Sequence, residues 1–133
     1  MIIEFSKSMY SIRIRDHMMI AHSLPDPFFG PASALHGATY IVDAEFFSES
    51  LNAQNVVMDI GWAHATLKAV LNKLNYRNLD TLAEFSQELT TTEFLARYIH
   101  GALSKNVSDR FQGRLKVTLG ESHVAWASYE ADV

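Results

Sequence analysis

The feature that most constrains the fold is a pair of alternating apolar and polar segments on each side of a central region with helical periodicity. Residues 10–15 alternate, and residues 18–22 continue the same strand. Residues 38–47 alternate again, as do residues 114–119 and 124–129 near the C-terminus. A period of two places successive side chains on opposite faces, which predicts strands with one buried face.

Two segments between these strand pairs have the spacing of amphipathic helices. Asp59 is positioned to cap the first, and Thr90 with Glu93 forms a capping box before the second. The apolar positions expected to face the core are Ile60, Ala63, Leu67, Val70, Leu71 and Leu74 in the first helix, and Leu95, Tyr98, Ile99, Ala102 and Leu103 in the second.

The order strand, strand, helix, helix, strand, strand predicts an α+β fold. Its sheet is expected to have four antiparallel strands, with both helices on one face. Such a sheet has two open edges, and proteins usually pair or cover them. We therefore expect subunits to assemble edge to edge and close a β-barrel.

The composition is typical of one globular domain spanning residues 1–133, with 48% apolar and 20% charged residues. The net charge of −4 argues against non-specific nucleic-acid binding. The absence of cysteine excludes disulfides and thiolate chemistry. No apolar run approaches the roughly 20 residues that span a bilayer, so we expect no membrane segment. The N-terminus lacks the features of a signal peptide, and we expect a cytoplasmic protein.

Five stretches carry a more specific signal, since they occur in one order at suitable spacing. They are residues 10–22, ending in His22; residues 35–40, with His36, Gly37, Ala38 and Tyr40; residues 55–68; residues 91–96; and residues 121–129, which begin with Glu121 and include Trp126. Together they resemble the 6-pyruvoyl-tetrahydropterin synthase and 6-carboxy-tetrahydropterin synthase family over nearly the whole chain.

That resemblance implies the tunnelling fold, in which three subunits close a barrel of twelve strands and two barrels stack. The expected assembly is therefore a homohexamer, a dimer of trimers, that binds a pterin-like small molecule between subunits. The family also implies a zinc ion, a general base and a glutamate that anchors the pterin ring.

The zinc site implied by the resemblance has three histidines. His22 and His36 match the first two, but Ala38 stands at the third position, and a methyl group cannot be a ligand. We expect no tightly bound zinc, and ordinary hydrogen bonds for both histidines. A weak site of two histidines, completed by the substrate, is the alternative.

The acid–base residues of the family are also replaced. Ala32 stands where the resemblance places a cysteine base, and Asn75 and Tyr76 stand near its aspartate–histidine pair. Asparagine cannot accept a proton in this role, and an ordinary tyrosine pKa near 10 is far above neutral. Tyr76 and His36 remain the candidate catalytic residues for a different reaction.

The recognition residues are retained. Glu121 matches the glutamate that anchors the pterin, and a carboxylate can accept two parallel hydrogen bonds from the ring. Thr91 and Thr92 match hydroxyls near the ring, and Met58 matches a segment contributed by a neighbouring subunit. For Thr91 the alternative role is simple helix capping.

The recognition residues are retained, whereas the third metal ligand and the acid–base residues are replaced. We therefore predict a divergent homologue that binds a pterin or similar ligand without the family's zinc-dependent reaction. One alternative is an active synthase or lyase in which Tyr76, His36 or His123 supplies the acid–base chemistry. Another is a non-catalytic subunit of a mixed oligomer.

Overall fold

The computed structural model describes residues 8–133. Residues 1–7, on which the expectation about a signal peptide rests, lie outside the described residues. The strands are β1 (Tyr10–His22), β2 (His36–Ser48), β3 (Arg77–Asn78), β4 (Arg114–Ser122) and β5 (Ala125–Asp132), and the helices are α1 (Ile60–Asn72) and α2 (Thr92–Val107). Short 3-10 segments cover Pro27–Ser33, Leu79–Thr81 and Ala83–Phe85. Within the described part of the chain, neither helix is long and apolar enough to cross a membrane.

The sheet has the strand order β3-β1-β2-β4-β5, so the α+β prediction is confirmed but the strand count of four is wrong. The four long strands pair antiparallel, as predicted. The fifth, β3, is a two-residue strand that runs parallel to β1 at Ile20 and Ala21. A strand this short has no alternation to detect, which is why its sequence gave no signal. Within one subunit the sheet is open rather than a closed barrel.

The core lies between one face of the sheet and the two helices. In β2 the buried residues are Tyr40, Val42, Ala44 and Phe46, which share one face of the alternating strand. The apolar positions of both helices are confirmed as buried or half-buried with one exception. Ile60, the first residue of α1, is 61% exposed because it borders an open cavity beside the start of β1.

The cap of α2 lies one residue later than predicted. Thr91, not Thr90, accepts the hydrogen bond from the backbone N–H of Phe94. Thr90 is buried, and its hydroxyl is bonded to His22 instead. The predicted cap of α1 is confirmed, because the Asp59 carboxylate accepts from the N–H of Trp62.

Removing the Thr91 hydroxyl is expected to destabilise the protein by about 1 kcal/mol, because an N–H at the start of α2 loses its partner. Urea unfolding of Thr91→Ala measures the loss. Thr91→Ser keeps an acceptor at the same place and should unfold close to wild type. If both variants lose the same stability, the methyl group rather than the cap is responsible.

Candidate functional site

Three successive threonines at the start of α2 hold the polar residues of the candidate site. Thr90 is bonded to His22 on β1, Thr91 caps the helix, and the Thr92 hydroxyl donates to Oε2 of Glu121 on β4 at 3.3 Å. The start of one helix therefore contacts two strands of the sheet. This arrangement fixes the site at the end of the sheet where β1 and β4 approach α2.

His22 and His36 form a pair across the β1–β2 ladder. They are direct register partners, and their ring centroids lie 4.6 Å apart at an interplanar angle of 63°. His22 is only 2% exposed, and its Nδ1 lies 3.0 Å from Oγ1 of Thr90. Nδ1 of His36 lies 2.8 Å from the carbonyl oxygen of Ala34, so this nitrogen carries a proton, and in the neutral ring Nε2 is the acceptor.

Ala38 shares the face of this histidine pair. It is the register partner of Ile20, two residues along from the His22–His36 pair on the same side of the sheet. A third histidine there would point toward the other two, but a methyl group supplies no ligand. Within residues 8–133, no group of three or more His, Cys, Asp or Glu side chains could hold a metal ion. These residues do not fit a zinc site with three protein ligands.

Glu121 lies at a β-bulge near the end of β4. Gly120 pairs with Trp126 and Ser122 with Ala125, so Glu121 has no register partner on β5. A bulge can re-aim a side chain, and here the carboxylate contacts Thr92. The Thr92 side chain is also hydrogen-bonded with that of Tyr40, and burial raises the pKa of this tyrosine. Glu121 is exposed, so its remaining carboxylate lone pairs face solvent and can accept further hydrogen bonds.

Asn75 and Tyr76 lie at the outer edge of β1. The Asn75 side-chain oxygen accepts from the N–H of Met19, and the Tyr76 N–H donates to the carbonyl oxygen of Met19. Both residues thus pair an otherwise open strand edge. Tyr76 has a positive φ of 61° and is 79% exposed. Tyr76 precedes β3, which is separated from β4 by β1 and β2. Three strand spacings place Tyr76 roughly 14 Å from Glu121 across the sheet.

Met58 lies at the opposite end of the sheet from Glu121. It is buried and lines a cavity of about 720 Å³ together with Tyr10 and Ile12, near the start of β1. In the register of the sheet, Glu121 lies beside Met18, toward the other end of β1. The two predicted ligand residues are therefore separated along the sheet by about 25 Å within one subunit.

The structure adds Thr90, Tyr40 and Asp80 to the site. The Asp80 carboxylate accepts from both the N–H and the hydroxyl of Ser23, beside His22. For Tyr40 the alternation of β2 was an available signal, since it shares a face with His36 and Ala38. Thr90 lies in the loop before α2, and Asp80 lies in a short 3-10 segment. In such irregular segments the sequence has no periodicity from which contacts could be predicted.

The histidine pair should make stability depend on pH. Burial and then the neighbouring His36 lower the pKa of His22 below its ordinary 6.5. Between the lowered folded value and 6.5, the unfolded chain binds a proton that the folded chain does not, so stability rises with pH in that window. Acidification through this range should therefore destabilise the protein by at most about 1.4 kcal/mol per pH unit.

Urea unfolding from about pH 7.5 to about pH 5.5 measures this slope. His22→Gln should flatten it, whereas His123→Gln, in the exposed turn between β4 and β5, should leave it unchanged. An undiminished slope in His22→Gln would show that His22 is not the group responsible.

Fold and site together define an α+β protein of the tunnelling-fold class, with a polar cluster at the start of its second helix. The family of 6-pyruvoyl tetrahydropterin synthase matches residues 11–132, and the chain belongs to this family. Among curated proteins, no sequence match is found.

Solved structures support the same fold. The 6-pyruvoyl tetrahydropterin synthase of Caenorhabditis elegans is 22% identical, with 96% of this chain and 99% of that chain covered and a TM-score of 0.81. The enzyme of Plasmodium vivax is 16% identical, with 95% and 99% covered and a TM-score of 0.76. An uncharacterized protein of Wolinella succinogenes is 15% identical, with 92% and 98% covered and a TM-score of 0.67. At these identities the likeness concerns the fold alone.

Proposed function

We propose that this protein binds a pterin or pterin-like heterocycle through Glu121 without the zinc-dependent reaction of its family. The observation that carries the proposal is the position of the Glu121 carboxylate, which is held by Thr92 at one oxygen and otherwise exposed. A carboxylate fixed in this way can accept two parallel hydrogen bonds from an amino-pyrimidine edge. Charge-assisted pairs of this kind are stronger and more directional than neutral ones.

The proposed site lies between subunits. Met58 is too far from Glu121 to contact the same ligand within one chain, so a second copy has to supply its segment. The described outer edge of β5 and the first half of β1 are free of a neighbouring strand. Pairing of these edges between copies would close a barrel, and a homohexamer of two such trimers is the assembly we propose.

The residue types support the proposed loss of the zinc-dependent reaction. His22 and His36 supply two nitrogens where three would be needed, and Ala32 provides no base. The Asn75 amide is not a base, and its side-chain oxygen is already bonded to the N–H of Met19 at the edge of β1. A bound pterin would therefore meet a recognition group without a complete set of reactive groups.

The test is a fluorescence titration of the metal-free protein with a small set of pterins, run beside Glu121→Gln. We expect saturable binding that the variant weakens about 10- to 100-fold, because it loses the charge and one of two acceptors. Glu93→Gln, another exposed acid in the first turn of α2, is the matched control and should bind as wild type. Equal affinity of wild type and Glu121→Gln would refute the proposal.

A second candidate function is a different reaction catalysed by the same site. The observation that favours it is the fixed ring of His36, which leaves Nε2 free to accept a proton beside His22. Turnover of a dihydropterin triphosphate that is abolished in His36→Ala would support this candidate. No turnover with or without added zinc would leave binding as the function.

A further inference from the structure

A groove between α1 and α2, on the helix side of the molecule, is unrelated to the site described above. It consists of two adjoining cavities of about 400 Å³ and about 600 Å³ that share Lys73 and Asn106. All of its lining residues belong to α1, α2 or the residue that follows α1, and none belongs to a strand, so pairing of strand edges would not fill this groove.

One half of the groove is cationic. Lys73, Arg97 and Lys105 line it, and within residues 8–133 none of the three forms an ion pair. Burial and the bond to Glu84 raise the pKa of Tyr98, the remaining ionisable side chain of this half, to about 12, so it stays neutral. A cleft lined by charges of one sign concentrates the field, although the whole chain carries a net charge of −4.

The spacing of these cations sets the size of a ligand. Arg97, Gly101 and Lys105 follow one another at four-residue intervals along α2, so the two cations are separated by about 12 Å along the helix. Gly101 lies between them, and a Cβ built there would meet no atom within 4 Å. The floor between the two cations is therefore open, and about four residues of extended peptide would cover the distance.

The other half of the groove is mainly apolar, although Thr66, Lys73 and Asn106 also line it. Trp62, Ala65, Ala69 and Val70 line it, and the guanidinium of Arg110 lies 4.7 Å from the centre of a Trp62 ring. A ligand that fills both halves must combine negative charge with an apolar group some distance away. A small inorganic anion satisfies only the cationic half.

We propose that this groove binds an acidic segment of a partner protein, with carboxylates on Lys73, Arg97 and Lys105 and one apolar side chain on the Trp62 half. Charge complementarity and the two-part lining support this occupant over a small anion. A segment of this kind also matches the open shape of the groove, because it can lie along both helices rather than enter an enclosed cavity.

The test uses the full chain and a fluorescently labelled synthetic peptide of glutamates with one central leucine, followed by anisotropy. We expect saturable binding that weakens with added salt and weakens about tenfold in Arg97→Glu. Lys68→Glu makes a charge reversal on α1 outside the groove and should bind as wild type. A peptide with serine in place of leucine should bind more weakly, because it loses the apolar contact with the Trp62 half.

Three outcomes would overturn the proposal. They are absence of peptide binding, equal losses in Arg97→Glu and Lys68→Glu, and displacement of the peptide by sodium tripolyphosphate together with indifference to the leucine. The last result would assign the groove to a small polyanion. All the changed residues are exposed, so each variant is expected to fold. Circular dichroism checks this.

Discussion

Ala38→His is expected to bind zinc about a hundredfold more tightly than the natural chain. The new imidazole would share the face of His22 and His36, whose rings already lie 4.6 Å apart. Structural zinc sites with four ligands contribute about 10–16 kcal/mol, so one added ligand contributes roughly 3 kcal/mol. Competition with a chromophoric chelator measures the zinc affinity directly.

The matched control for this prediction is Thr39→His. It adds the same side chain one residue along β2, where alternation points it to the opposite face. Only Ala38→His should gain affinity, and the gain should disappear when His22 is also changed to alanine. Equal zinc binding by the two variants would show that Ala38 does not face the histidine pair. Zinc binding alone is not expected to produce turnover, because Ala32 still supplies no base.

Phe46→Ala is expected to destabilise the protein by about 3–5 kcal/mol, enough to unfold much of a marginally stable domain. The Phe46 side chain is 0% exposed, and its ring centroid lies 5.4 Å from that of Phe111 in an edge-to-face contact. Its removal leaves a cavity between β2 and the helices, which well-packed neighbours fill only in part. Urea or thermal unfolding measures the loss.

Phe47→Ala removes the same ring from the next residue of β2 and serves as its control. Phe47 lies on the other face of the sheet, where its side chain is only half-buried. We expect a markedly smaller loss for this variant within one subunit. A loss as large as that of Phe46→Ala would mean that assembly covers the outer face of the sheet, and unfolding at several protein concentrations would then reveal that dependence.

The candidate site could be predicted in its residue types but not in its contacts. Glu121, His22, His36 and Thr92 were identified as a set, and the structure brings them to the same end of the sheet. Met58 is predicted to reach the ligand from a neighbouring subunit, and within one subunit it lies at the far end of the sheet from Glu121. The sequence makes Tyr76 a candidate acid, but its backbone pairs the edge of β1 and its side chain is largely exposed to solvent.

The sequence by itself determined the four long strands, the two helices and the division of β2 residues between two faces. These features depend on local periodicity, which a chain carries whether or not it is folded. The sequence also determined that position 38 carries no metal-ligating side chain and position 32 no thiol, because both residues are alanine.

Only the tertiary structure decided which threonine caps α2, that Thr90 is bonded to His22, and that a bulge directs Glu121 toward Thr92. It alone placed β3 beside β1 and the cationic groove between the two helices. Each of these depends on contacts between residues far apart in the chain, and such contacts leave no period in the sequence for a local pattern to reveal.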